Sequence, residues 1–137
     1  MTLLAWTVAL FSLVPPTSTD SLTVTLANIQ GNEGKIVVQL YDSADSFMNA
    51  PIHTATAAPD SATASVTFSD LAYGTYAIIV LHDKNDNGEM DMGPGGIPEE
   101  GYAFSNGAGA MGPPNFSAAK FAFASNKRSH EIKMIYW

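Results

Sequence analysis

The chain has 137 residues, enough for one domain, and its 46% hydrophobic and 14% charged content is that of a globular protein, not a disordered one. Six Lys and Arg against 13 Asp and Glu give a net charge of −7 with no basic run to neutralise phosphates, which argues against nucleic acid and against docking on anionic membranes. There is no cysteine, which excludes disulfides, thiolate catalysis and cysteine-bound zinc or iron.

The first element is "LLAWTVALFSLV", residues 3–14, which carries no charge. It is too short to span a bilayer comfortably, and it suits the apolar core of a secretory signal peptide. "PPTSTDS" comes next, with helix-breaking prolines and small residues where a peptidase could cut. No Lys or Arg precedes the apolar run, which is atypical of a signal. The expectation is a signal peptide over residues 1–19 and a single domain over 20–137, exported to the periplasm or beyond, with no membrane span in the mature chain. The alternative is an apolar strand or helix that packs on the domain.

Alternation of apolar and polar residues organises the rest of the chain. "SLTVTLAN" sets Leu22, Val24 and Leu26 on one face and threonines on the other, as a half-buried strand does. "QGNEG" reads as a hairpin turn and "KIVVQLYD" as the next strand. "SADSFMNAP" reads as a loop with room for a helical turn. "ATASVTF" alternates again, with Ala64, Val66 and Phe68 in register, and "SDLAYG" turns the chain. "TYAIIVLHD" is the most apolar strand and belongs in the middle of a sheet. From residue 93 to 116, seven Gly and four Pro break any helix or strand. A short helix at "NFSAAK", capped by Asn115, precedes two closing strands, "KFAFA" and "HEIKMIYW". In the last, Ile132, Met134 and Tyr136 share a face. Six or seven short strands with no crossover helix predict an all-β fold, an antiparallel β-sandwich with one long Gly/Pro-rich loop. A small barrel is the alternative.

"HDKNDNGEMD", residues 82–91, adjoins the apolar strand directly. From residue 82 to 100 six carboxylates face one Lys, which is −5 of the net −7. Counting Asp83 as position 1 puts Asn85 at 3, Asn87 at 5, Gly88 at 6, the Glu89 backbone carbonyl at 7 and Asp91 at 9. Those are the first nine places of an EF-hand-type calcium loop. Alternate side chains can converge hard oxygens on one point while Gly allows the tight turn. Position 12 is Pro94, where a bidentate Glu is needed, and no flanking helices are visible. Glu99 and Glu100 are the nearest carboxylates that could close the site. Calcium is the expected cofactor, with Asp83, Asn85, Asn87, Glu89, Asp91, Glu99 and Glu100 as candidate ligands. The competing reading is a hydrated turn in which Asn and Asp bond to nearby backbone.

"GTYAIIVLHDKNDNGEMD", "GIPEEGYAFSNGA" and "GPPNFSAAKF" resemble, in order and spacing, a bacterial family of small exported proteins, the domain-of-unknown-function family 2141. The resemblance covers residues 22 to 136. It implies an exported β-sandwich of immunoglobulin-like or transthyretin-like type and no defined activity. "LAYGTYAIIVLHD" is also similar to the strand-turn-strand signature of prealbumin-like surface repeats. Within the family segment, Tyr102, Phe104, Asn106 and Phe116 form a candidate ligand-facing patch beside the acidic loop. Aromatic faces with nearby amides suit sugars or small amphipathic molecules. The competing reading is that these aromatics close a lid on the core.

Catalytic signals are weak. His53, His82 and His130 lack metal-type spacing and read as surface or strand-end residues. Ser105 sits in "AFSNGAG", without a nucleophile elbow. The glycine-rich runs have no subsequent Lys to cradle phosphate. The leading expectation is a non-enzymatic protein with a binding or structural role at the cell envelope, facing an envelope protein or glycan. A carbohydrate- or small-ligand-binding accessory domain comes second. A small acid/base hydrolase built on the loop carboxylates is a distant third.

Overall fold

The computed structural model describes residues 18–109 and 112–137. The expected signal segment lies outside the described residues up to position 17. In chain order the strands are β1 (Thr19–Ala27), β2 (Lys35–Tyr41), β3 (His53–Ala57), β4 (Ala64–Ala72), β5 (Gly74–Asp83), β6 (Tyr102–Phe104), β7 (Phe121–Phe123) and β8 (Ser129–Lys133). A single helical turn, α1 (Phe116–Ala119), precedes β7. Its first turn is capped by Asn115, whose Oδ1 accepts the Ala118 N–H at 2.9 Å, as the sequence predicts.

Two sheets form a sandwich. The smaller has the order β4-β1-β8, and the larger β3-β2-β5-β6, with β7 also on β5. All pairings are antiparallel except β1 with β8, which is parallel. The alternation read from sequence fixes the inner faces. Leu22, Val24 and Leu26 of β1 are fully buried against Ile36, Val38 and Leu40 of β2 and their neighbours. Val66 and Phe68 of β4 and Ile132 and Met134 at the closing strand complete this core. Burial of that apolar surface is the dominant favourable contribution to folding.

β3, β6 and the extension of β4 depart from the sequence reading. β3 pairs residues 53–57 with β2 on the sheet edge, where His53, Thr54 and Thr56 are exposed and only Ala55 and Ala57 pack against the core, so its apolar stripe is two alanines. "SDLAYG" is mostly strand, because β4 runs on to Ala72 through a bulge at Asp20/Leu22 of its partner and Asp70 at φ 54°. β6 forms inside the Gly/Pro tract, where Tyr102–Phe104 pair with 79–81 of β5.

The larger sheet is covered on both sides. Outside it lies a second apolar cluster of Tyr41, Phe47, Ala77, Tyr102, Phe104 and Ala119. Phe47 is held there by the turn of residues 43–50, with its N–H on the Ser43 carbonyl, and its ring meets Tyr41 edge-on at 5.4 Å. This second layer accounts for part of the apolar outer face of "YAIIVL": Ala77 is buried beneath it, while Ile79 and Leu81 are only half-buried. Among the described residues no helix is long and apolar enough to cross a membrane.

Candidate functional site

β5 ends on a pair of buried polar side chains, His82 and Asp83. Neighbours on a strand point to opposite faces, so the two serve different sides of the sheet. His82 faces the sandwich interior. Its Nε2 lies 2.7 Å from the Glu33 carbonyl, which can only accept, so that nitrogen carries the proton. The Tyr136 hydroxyl pairs with Nδ1 at 2.8 Å. His82 is therefore a buried cross-tie at the end of the strand, and not a surface residue. Gly101 lets the Tyr136 ring approach, since a Cβ there would stand 2.2 Å from it.

Asp83 faces the other way and organises the acidic loop. Its carboxylate accepts the N–H groups of Asn87 at 3.2 Å and Gly88 at 2.8 Å. Left-handed backbone at Asp86 (φ 56°) and Gly88 (φ 77°) makes the turn that brings those donors back. Asn85 Oδ1 accepts the Asn87 N–H and Asn87 Oδ1 accepts the Glu89 N–H. The amide groups of Asn85 and Asn87 donate to Asp91 at 2.5 and 2.8 Å. Those two donors, Asn87 foremost, hold the Asp91 carboxyl below the ordinary carboxylate range.

The chain then returns on itself. A turn at Pro94–Gly96 and a bridge between Met92 and Pro98 form a small hairpin, tied by the Glu99 N–H on the Asp91 carbonyl. Glu100 is thereby delivered, almost fully buried, to the loop that Pro94 leaves open. Its Oε2 accepts the Lys84 N–H at 2.7 Å and its Oε1 the Asp91 N–H at 2.9 Å, so one carboxylate clamps both ends of the loop. Glu99 points outward against Gly93, and the Glu89 side chain is exposed.

The structure thus assembles Asp83, Asn85, Asn87, Asp91 and Glu100, and leaves the side chains of Glu89 and Glu99 outside. Backbone and side-chain N–H groups occupy the carboxylates. Among the described residues no three acidic or histidine side chains converge as a metal cluster. For a cation to sit here, the Asn85 and Asn87 carboxamides must turn so that oxygen replaces nitrogen.

Beside the loop lies a cavity of about 740 Å³ on the outer face of the larger sheet. Its floor is Tyr41, Ile79, Leu81, Tyr102 and Phe104 from β2, β5 and β6. The acidic loop and hairpin supply one wall through Met90, Met92, Ile97 and Pro98, and Met48 and Trp137 stand at the margin. Among the described residues no Lys, Arg, Asp or Glu lines it. The polar atoms present are largely consumed. The Tyr102 hydroxyl donates to the Gly109 carbonyl and accepts from the Trp137 indole, both at 3.2 Å, and the Tyr41 hydroxyl donates to Gln39.

Of the expected ligand patch, Tyr102 and Phe104 are in this cavity. Asn106 is not: its amide donates to the Lys120 carbonyl, and its N–H reaches His130 Nε2 at 3.4 Å. Phe116 instead packs edge-on against Phe47, with ring centres 6.0 Å apart. Ser105 is fully buried, with its hydroxyl donating to the Ala119 carbonyl and accepting the Ile78 N–H at 2.9 Å. That hydroxyl completes the ladder on β5 between β6 and β7, so Ser105 is structural and has no free nucleophile. The contributions of Ile79, Met48, Met90, Met92, Ile97 and Trp137 are invisible to motif reading. The available signal is that β5 stays apolar on its outer face, which announces a second layer without its partners.

A family model described as "Uncharacterized protein conserved in bacteria (DUF2141)" matches residues 24–131. No curated protein and no solved structure matches the chain.

Proposed function

The chain belongs to the DUF2141 family of uncharacterized bacterial proteins, and from that premise we propose that it is an exported, non-enzymatic binding module of the cell envelope. Its site is the cavity on the outer face of the larger sheet, and its ligand is a small, largely apolar molecule. One observation carries this reading. Of the five large hydrophobic side chains that are exposed among the described residues, four (Met48, Met92, Ile97 and Trp137) ring the same apolar cavity. Scattered exposed hydrophobics are ordinary, but convergence on one concavity marks a site. A sugar is a poorer fit than an apolar ligand, because the hydroxyl and indole groups within reach already bond to one another.

Titration with the uncharged fluorophore N-phenyl-1-naphthylamine tests the proposal. One molecule should bind per chain with a blue shift, and M92E or I97E should weaken it at least tenfold. Both positions are more than half exposed, so neither change should unfold the protein. A fluorophore that stays in water, or that binds both variants as tightly as the parent, would remove the cavity as the site. Export is tested separately, by the N-terminal residue of the protein recovered from a bacterial envelope fraction. A mature start near residue 20 is expected, and an intact Met1 would contradict it.

A second reading is favoured by the return of Glu100. Asp83, Asn85, Asn87, Asp91 and Glu100 make an oxygen-rich donor set, and hard oxygens suit calcium. The ion would hold the loop wall of the cavity and take no part in chemistry. A thermal melt should rise with millimolar calcium and fall with excess chelator, and D83A should abolish the difference. Equal melting temperatures in calcium and chelator would leave the hydrogen-bonded turn as the whole account.

A further inference from the structure

The charge around the cavity is as lopsided as its lining is apolar. The wall formed by residues 88–98 belongs to the same loop that carries Asp83, Asp86, Glu89, Asp91, Glu99 and Glu100. Along residues 89–92 the side chains sort by chemistry. Met90 and Met92 line the cavity, while Glu89 is exposed and Asp91 is bonded within the loop. Asp86, Glu89 and Glu99 are exposed and unburdened by the clamp that holds Asp83 and Glu100. The opposing cations are few. None of the six Lys and Arg lines the cavity, and Lys84, the one base in the loop, lies over the Tyr136 ring with its Nζ 5.6 Å from the centroid. A ligand here meets apolar walls, one of them carried by a loop with six carboxylates against one Lys, which makes the local field negative. Three methionines, Met48, Met90 and Met92, give walls that adapt to a flexible chain better than to a rigid polar ring.

We infer that the cavity takes an amphiphile with an unbranched aliphatic chain and a cationic headgroup, the chain lying on Ile79, Leu81, Tyr102 and Phe104 and the head at the acidic loop. This rests on the cavity being the binding site and adds the chemical class of its occupant. An anionic amphiphile of equal chain length should be disfavoured, because its head would face like charge across a mouth of low counter-charge. Chain length should matter independently of charge. Each methylene that enters the cavity should tighten binding about fourfold, the equivalent of about 0.8 kcal/mol.

The test is displacement of N-phenyl-1-naphthylamine from the full chain by dodecyltrimethylammonium, by its decyl homologue and by dodecanoate, all below their micellar concentrations. The dodecyl cation should displace the fluorophore with a midpoint about tenfold or more below that of dodecanoate at low salt, and the decyl cation should be weaker than the dodecyl one. The cationic advantage should shrink at about 0.5 M salt as screening sets in. The double variant D86N/E89Q should lose most of that advantage and keep its affinity for the uncharged fluorophore. Equal midpoints for cation and carboxylate, or an unchanged preference in the double variant, overturn the headgroup assignment while the cavity stands. Absence of fluorophore binding to the parent overturns both, so the two failures are distinguishable.

Discussion

Glu100 is the point at which loop, wall and sheet meet, and its removal has a calculable cost. In E100A the N–H groups of Lys84 and Asp91 lose a charged acceptor each, at 2.7 and 2.9 Å. A hydrogen bond to a charged group contributes about 1.5–3 kcal/mol. Both donor residues are half-buried, so water partly replaces the lost partner and the sum falls near the lower end, about 3 kcal/mol. For a domain of this size each kcal/mol moves the midpoint by about 3–6 °C, so E100A should melt about 10 °C or more below the parent. E100Q keeps one acceptor but turns an amide N–H₂ toward the other donor, and should cost about half as much. The exposed neighbour serves as control: E99A should stay within about 0.5 kcal/mol of the parent. Thermal and urea melts read the global cost. Amide hydrogen exchange at Lys84 and Asp91 should accelerate in E100A more than exchange at Val38 or Val80. If E100A and E99A melt together, the clamp does not exist.

Other residues carry sharp expectations. S105A should lose about 2 kcal/mol by urea denaturation, because it strands the Ile78 N–H inside the protein, and S105T should not recover it without room for the methyl group. G34A should destabilise by at least about 2 kcal/mol: residue 34 sits at φ 70° and an added Cβ would stand 1.9 Å from the Asp83 carbonyl oxygen. Burial lowers the pKa of His130, whose ring stacks on Phe121 at 4.2 Å and accepts the Asn106 N–H. With the folded value below the unfolded one, this contribution is whole above about pH 6.5 and is lost as pH falls through the folded pKa. The urea midpoint should therefore drop between about pH 7 and 5, and H130F, which keeps the stack, should flatten that slope.

The inner face of the sandwich was legible because it is written with period two. Leu22, Val24 and Leu26, or Ile132 and Met134, leave little choice of face. β3 was not legible, since the inward face of "HTATA" is only Ala55 and Ala57, an apolar stripe too slight to mark a strand. The acidic loop was legible as a turn, because Asn, Asp and Gly at alternate places dictate local hydrogen bonds. Which of Glu99 and Glu100 returns to it was not. The choice depends on the hairpin at 92–98, where one residue of register sends neighbouring side chains to opposite sides. Asn106 and Phe116 looked like site residues by proximity in sequence. The 3₁₀ turn at Ser105–Gly107, with Asn106 at φ 61°, sends Asn106 to the Lys120 carbonyl, and the separate turn α1 carries Phe116 onto Phe47.

Loop and cavity are one piece of chemistry. A wall built on Met90, Met92, Ile97 and Pro98 has no core of its own, since Met92 and Ile97 are more than half exposed. Apolar packing alone would not order such a segment against the entropy of a long Gly/Pro-rich loop. Carboxylates on backbone N–H groups supply the missing constraint. Asp83 fixes Asn87 and Gly88, and Glu100 fixes Lys84 and Asp91, so both flanks of Met90 are anchored to the end of β5. The acidic residues at 83, 91 and 100 are therefore explained by the wall they hold. Those at 86, 89 and 99 are exposed and hold no backbone group of the wall, so their charge is left to set the field of the loop.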